Sequence, residues 1–381
     1  VWRLDAAGPV PIAAFRPETP LLPASTMKLV TSAGALMSLG PDFRFETRLY
    51  AGVNAFRRGR VLNGPIYILG SGDPVLATAD YSRTFLSGRG SSLGKLVKPL
   101  RAEGIRLVKG PVVADESLFD ERRTAPLWKA SYSSECSPLS ALAINQNFAG
   151  KWQSGRVTSP PVAAAQRLKQ TMVANGVQHQ GRLREGNAPE QGRLLSTVQS
   201  PPLRVIVGLM NRNSDNFIAE MLAKDVGAHA TGEGSTTAGT QHTESLLTDI
   251  GVMGTADRLV DGSGLSRSNR LAAGTLVRLL AAAHADPTWG APLIESLPEG
   301  GKGTLRRRFK TGGVGERVHG KTGYINGVSS LAGVVESPAG VRYAFAFIMN
   351  DWDITGAKAT QDRVVTLLAR GAGDGLAALP S

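Results

Sequence analysis

Residues 21–40 read L-L-P-A-S-T-M-K-L-V-T-S-A-G-A-L-M-S-L-G, and no other run constrains the fold as much. Leu29, Val30, Ala33, Leu36 and Met37 recur at helical spacing. Pro23 suits the start of such a helix and Gly40-Pro41 its stop. A helix this apolar must be covered by other elements. It also carries Ser25 and Lys28 one turn apart, and therefore on one face. A lysine on a buried face has lost its water, so its charge is in question.

The rest of the chain alternates between the two periods. Strand-like runs extend from Phe43 to Val53 and from Val61 to Leu69, followed by a turn cluster at 70–75. Another extended run spans Ile105 to Ala114, and a polar stretch after it closes at Pro138. Residues 161–176 read as a helix stopped by Gly176, and the Gly-, Pro- and polar-rich 180–202 as a crossover between domains. Helical spacing returns from 203 through the Ser214 region and again at 271–285. Near the end, Val328 to Val335 and Val341 to Met349 alternate about a Ser337-Pro338-Ala339-Gly340 turn, an antiparallel hairpin before a helix over 356–370. Helices at both ends with a hairpin between them predict an α+β fold, helices packed on an antiparallel sheet.

Three short motifs carry chemistry: Ser25-x-x-Lys28 opening a helix, Ser214-Asp215-Asn216 between two helical runs, and Lys321-Thr322-Gly323 leading into a strand. Singly, each has a plainer reading: a cap beside a snorkelling lysine, a turn, a chance K-T-G that also occurs at 310–312. Together and in this order they match the motif set of penicillin-binding proteins and class A β-lactamases. The residue types fit acyl transfer, because a serine hydroxyl needs a base to become a nucleophile. None of the five histidines is placed for that, which leaves Lys28. Making a lysine neutral at pH 7 costs about 4 kcal/mol, within reach of burial plus a second cation, for which Lys321 is the candidate.

The chain resembles the low-molecular-mass class C penicillin-binding proteins, the D-alanyl-D-alanine carboxypeptidase/endopeptidase family. The likeness rests on LLPASTMKLVTSAGAL, ILGSGDPVL, SPPLRVIVGLMNRNSDNFIAEML, DGSGLSRSNRL, GGKGTLRRRF and GKTGYINGVSSLAGVV, and on the 185 residues between Lys28 and Ser214. It implies a catalytic domain of the penicillin-binding-protein/β-lactamase type from 1–50 plus 196–381, with an inserted domain at 51–195, trimmed relative to the family. It further implies an exported, periplasmic or extracytoplasmic enzyme acting on peptidoglycan stem peptides and acylated by β-lactam antibiotics. By matched position, Ser25 would be the nucleophile, Lys28 its base, Ser214 a proton relay and Asn216 a ligand of the substrate amide. Lys321 and Thr322 would hold the substrate carboxylate, and the N–H groups of Ser25 and Tyr324, flanking Gly323, would form the oxyanion hole. Tyr324 stands where the family usually has Ser or Thr, and Lys129-Ala130-Ser131 replace the acidic residue expected after Trp128, leaving Glu135 as the nearest carboxylate.

Composition narrows the alternatives. A net charge of +12 suits a polyanionic neighbour, yet no nucleic-acid motif accompanies it. Cys136 is the only cysteine, predicted to be a buried inert thiol, and no His or Cys spacing suits a metal; no cofactor is expected. No stretch reaches the ~18 apolar residues of a membrane span, and the Val1 start fits removal of a leader. Gly315 to Thr322 also spells G-x-x-x-x-G-K-T, a phosphate-binding loop that would have to follow a buried strand and open a helix. A non-catalytic muropeptide-binding sensor and a β-lactamase are the other rivals. The Gly-rich GSGDP at 70–74 and DGSGL at 261–265 read as tight turns.

Overall fold

The computed structural model describes residues 1–310 and 312–378. Its first sheet joins the two ends of the chain. Strands β1 (Trp2–Asp5), β2 (Gly8–Pro11), β3 (Val318–Ile325), β4 (Val328–Glu336) and β5 (Arg342–Asn350) lie in the order β3-β4-β5-β1-β2, antiparallel throughout. β4 is buried on both faces, and its alternation divides two cores. Ala332 and Val334 face a core with Leu276, Val277 and Leu280, whereas Leu331 and Val335 face one with Val365 and Leu368.

Helices cover both faces: α1 (Met27–Leu39), α2 (Leu203–Asn213), α3 (Asn216–Thr231), α4 (Thr236–Asp249) and α5 (Ala273–Ala285) on one, α6 (Ile354–Ala369) on the other. α1 follows a single 3-10 turn at Ala24–Thr26 and ends where Gly40 takes φ +85°. α3 runs through the middle, buried from Phe217 to Gly227. A Cβ on Gly239 of α4 would overlap the Ala223 carbonyl oxygen, and one on Gly227 would lie 2.9 Å from the Gly239 amide nitrogen. The two backbones are in contact where they cross.

The second body has a mixed five-stranded sheet in the order Leu183–Glu185, Val112–Asp115, Ile66–Leu69, Glu46–Ala51, Arg193–Gln199. A four-stranded sheet lies beside it, and helices Leu93–Ala102 and Pro160–Ala174 share its separate core. The expected crossover at 180–202 is thus partly wrong, since two strands form inside it. The register shifts between Leu194 and Ser196, which breaks the period of two that marks a strand. The expected boundaries at 50/51 and 195/196 also cut through paired strands, and we propose that the insert runs from 46 to 199.

Part of the insert leaves its own core. Phe119, Cys136, Leu139 and Ala143 pack with Phe217 and Met221 of α3 and with Leu265. Cys136 is buried and unpaired, as expected, and burial pushes its thiol up. The phosphate-loop reading fails on its context: Gly315–Arg317 is a 3-10 turn, and the next element is β3 rather than a helix.

Gly239→Ala forces the α3–α4 crossing apart and is expected to cost roughly 3 kcal/mol, the range of core overpacking. Gly375→Ala, which meets nothing within 4 Å, is nearly neutral. Urea unfolding of both variants beside the parent chain checks the contrast.

Candidate active site

The first turn of α1 is tied down before it presents anything. The Pro23 carbonyl accepts from Thr26 Oγ1 at 2.7 Å and from Ser330 Oγ of β4 at 2.6 Å. β3 approaches the same turn closely: a Cβ on Gly323 would lie 2.8 Å from the Pro23 oxygen and 2.9 Å from the Ser25 amide nitrogen. Only glycine fits there, which accounts for the third residue of Lys321-Thr322-Gly323.

Lys28 is fully buried and its Nζ has three oxygens around it. Ser25 Oγ lies at 3.0 Å, Asn216 Oδ1 at 2.8 Å and the Ser263 carbonyl at 2.7 Å. An ammonium donates to all three. A neutral amine has two N–H groups and one lone pair. Asn216 Oδ1 and Ser263 O can only accept, so they take both hydrogens, and the lone pair is left for the Ser25 hydroxyl proton. Burial lowers the Lys28 pKa from 10.5 to about 8, against the pull of Asp261, Glu220 and Asp215. That depression amounts to about 3 kcal/mol against the charged form.

Ser214 and Lys321 form a second amine–hydroxyl pair. Ser214 caps α2 in the left-handed region at φ +55° and Asp215 caps α3 by accepting from the Ile218 amide, so the motif is a corner between helices. Lys321 on the edge strand β3 donates to Ser214 Oγ at 2.9 Å and to the Thr322 carbonyl at 2.7 Å. Burial holds its pKa well below the ordinary value, and the Lys28 charge adds to the effect. Burial is the larger cause at both lysines, carboxylates oppose it at Lys28, and the repulsion between the two ammonium groups is mutual.

The remaining expected residues are placed less uniformly. Asn216 Nδ2 donates to the Glu135 carbonyl at 3.1 Å, so its amide is engaged on both sides. Thr322 is half-buried on β3. The Tyr324 ring is exposed, with Lys358 Nζ 5.2 Å from its centre. In the other K-T-G copy Lys310 is exposed, and Thr311 lies outside the described residues.

Sequence reasoning missed the support behind Lys28. The Ser263 amide donates to Glu220 Oε1 at 2.7 Å, and this aims the Ser263 carbonyl at Lys28. Burial, with the Asp261 charge adding to it, pushes the Glu220 carboxyl well above its ordinary range. Asp261 accepts from the Gly264 and Ser266 amides, Asn269 Nδ2 and Trp128 Nε1. Gln146 Nε2, from the insert, donates to Asp215 at 2.8 Å. The only available signal was the Gly-rich DGSGL, which looked like a turn.

Known proteins resemble the chain over most of its length. The model of the D-Ala-D-Ala carboxypeptidase 3 (S13) family matches residues 4–154 and 143–371. A carboxypeptidase of Mycobacterium tuberculosis is 32% identical over 364 residues, 92% of this chain and 76% of that protein. A D-alanyl-D-alanine carboxypeptidase of Actinomadura sp. is 29% identical over 433 residues, 93% and 78% of the two chains. Penicillin binding protein 4 of Haemophilus influenzae superposes with a TM-score of 0.79 at 24% identity, covering 94% of this chain and 93% of that one.

If Lys28 acts as the base, its neutral form is the working one, and that form accumulates as pH rises through about 8. Acylation of Ser25 by benzylpenicillin, followed from pH 6 to 10, is expected to rise about tenfold per unit below that pH and to level off above it. A flat profile removes Lys28 from the role.

Proposed function

The chain belongs to the D-Ala-D-Ala carboxypeptidase 3 (S13) family, and from that membership we propose how its residues divide the work of a serine-type D-Ala-D-Ala carboxypeptidase. Ser25 Oγ attacks the carbonyl of the penultimate D-Ala while Lys28 takes its proton. The C–N bond breaks, and the departing D-Ala amine receives a proton through Ser214. Water then hydrolyses the ester on Ser25, which regains its proton. Lys321 and Thr322 bind the terminal carboxylate, Asn216 the substrate amide, and the amides of Ser25 and Tyr324 the oxyanion.

The observation that carries this reading is the three-oxygen environment of Lys28, which leaves one lone pair of the neutral amine directed at Ser25. Peptidoglycan stem peptides are the proposed substrates and β-lactams the proposed acylating analogues. Work on such substrates places the proposed site of action outside the cytoplasm, in the periplasm or cell-wall space. Among the described residues no helix is long and apolar enough to cross a membrane.

Incubation with benzylpenicillin is expected to add one acyl mass, on the peptide containing Ser25, and D-Ala is expected to be released from an acyl-D-Ala-D-Ala peptide. Ser25→Ala loses both, and an adduct that persists in it refutes the assignment. The two K-T-G copies separate in the same assay. Lys321→Ala loses roughly 10²-fold or more in acylation rate, the scale of a removed electrostatic contact in a closed site. Lys310→Ala, at an exposed position, stays within about twofold of the parent, as surface changes usually do.

A further inference from the structure

Beside the strand that would hold the substrate carboxylate lies a cavity of about 350 Å³. Thr304, Arg306, Arg307, Arg308, Thr322 and Lys358 are among its lining residues. Its position follows from two contacts. The 3-10 turn Gly303–Leu305 sits against the end of α2, where a Cβ on Gly303 would be 2.7 Å from the Arg212 carbonyl oxygen, two residues before Ser214. The opposite wall is Thr322 to Tyr324 of β3. The cavity therefore adjoins Thr322 on the α6 face of the sheet, across the edge strand β3 from the contact of Lys321 with Ser214.

Its charge is not balanced from within. Arg308 donates to Asp362 at 2.6 Å and to Gln361 at 3.1 Å. Arg306 and Arg307 are exposed and make no ion pair or hydrogen bond among the described residues. Lys358 lies over the Tyr324 ring and makes no ion pair among the described residues. Four cations thus face one acid. Thr304 Oγ1, buried in the same wall, has no hydrogen-bond partner among the described residues. Guanidinium groups beside a neutral donor suit a planar anion that two arginines can grip.

We propose that this cavity is a leaving-group subsite for a second carboxylate, so that the enzyme accepts an acidic departing residue as well as D-Ala. The inference rests on the assignment of Lys321 and Thr322 to the first carboxylate. In such a substrate the carboxylate nearer the scissile bond stays at β3, and the second reaches Arg306 and Arg307. The bond broken and the proton transfers are those of the carboxypeptidase reaction.

The test uses two acyl peptides of equal size, acyl-D-Ala-D-Glu and acyl-D-Ala-D-Gln, which differ by one charge. The parent enzyme is expected to favour the D-Glu peptide about five- to tenfold in kcat/KM at low salt, less at high salt. In Arg306→Gln/Arg307→Gln the ratio falls to about one. In Arg57→Gln/Arg58→Gln, on an exposed strand of the insert, it persists. Titration of the Ser25→Ala protein with both peptides reads binding alone and shows the same preference. Equal binding of the two peptides overturns the subsite, as does a preference that survives the Arg306/Arg307 change or is lost equally with Arg57/Arg58. Preferential binding of the D-Glu peptide with no cleavage and no penicillin adduct would uphold the subsite and refute the catalytic reading instead.

Discussion

Burying the amine of Lys28 is the constraint from which the rest of the site follows. An ammonium stripped of water is costly unless every hydrogen finds an acceptor. The three acceptors come from three places far apart in the chain: the same turn of α1, the start of α3 and the 261–265 loop. The fold must therefore bring α3 against α1 and lay the loop over both. The close crossing of α3 with α4 and the saturated Asp261 carboxylate serve that arrangement, because a loop held by four hydrogen bonds cannot swing its Ser263 carbonyl away. Rigidity at this carbonyl is also what prevents the lysine from recovering water.

The insert is part of the same construction and not an appended body. Its segment from 116 to 149 shares a core with α3, Trp128 supplies one of the bonds to Asp261, and Gln146 holds the Asp215 cap. Residues Asn145, Gln146 and Asn147 all have positive φ, an arrangement with a backbone cost of order 1–3 kcal/mol each. Their side chains offset part of it, through Thr78, Tyr81, Asp215 and the Pro138 carbonyl. A chain that lost this segment would keep the three motifs and lose the wall against which α3 is packed.

How much of this was legible depended on whether the signal was local. α1 and the hairpin of β4 and β5 could be read because a glycine stop, a turn and an unbroken period mark them. That Ser25, Lys28, Ser214, Asn216 and Lys321 belong together could be read because their side-chain identities and order match one motif set, and the fold does bring them together. Ser263 could not: it acts through a backbone carbonyl, which any residue would supply. Glu220 and Gln146 act at one remove, and nothing in their neighbours' spacing points to Lys28 or Asp215. The strand Arg193–Gln199 was hidden by a one-residue shift in register, and with it the edge of the insert. The two K-T-G copies show the limit of a motif alone, since only the strand context of Lys321 separates it from Lys310.

The two buried lysines also bear on the order of events in the proposed reaction. Each is pushed toward neutrality by burial, and repulsion between them makes one charge easier to hold than two. An anionic substrate arriving at Lys321 and Thr322 favours the charge on Lys321. By the same repulsion, a charged Lys321 disfavours a proton on Lys28. In that proposed reaction, substrate binding would thereby place the single charge where it neutralises the carboxylate and leave the free base beside Ser25. Penicillin, which carries a carboxylate, would do the same. Under the proposed roles the pair would make the base beside Ser25 available when the site is filled, an arrangement that needs both lysines to be buried, as they are.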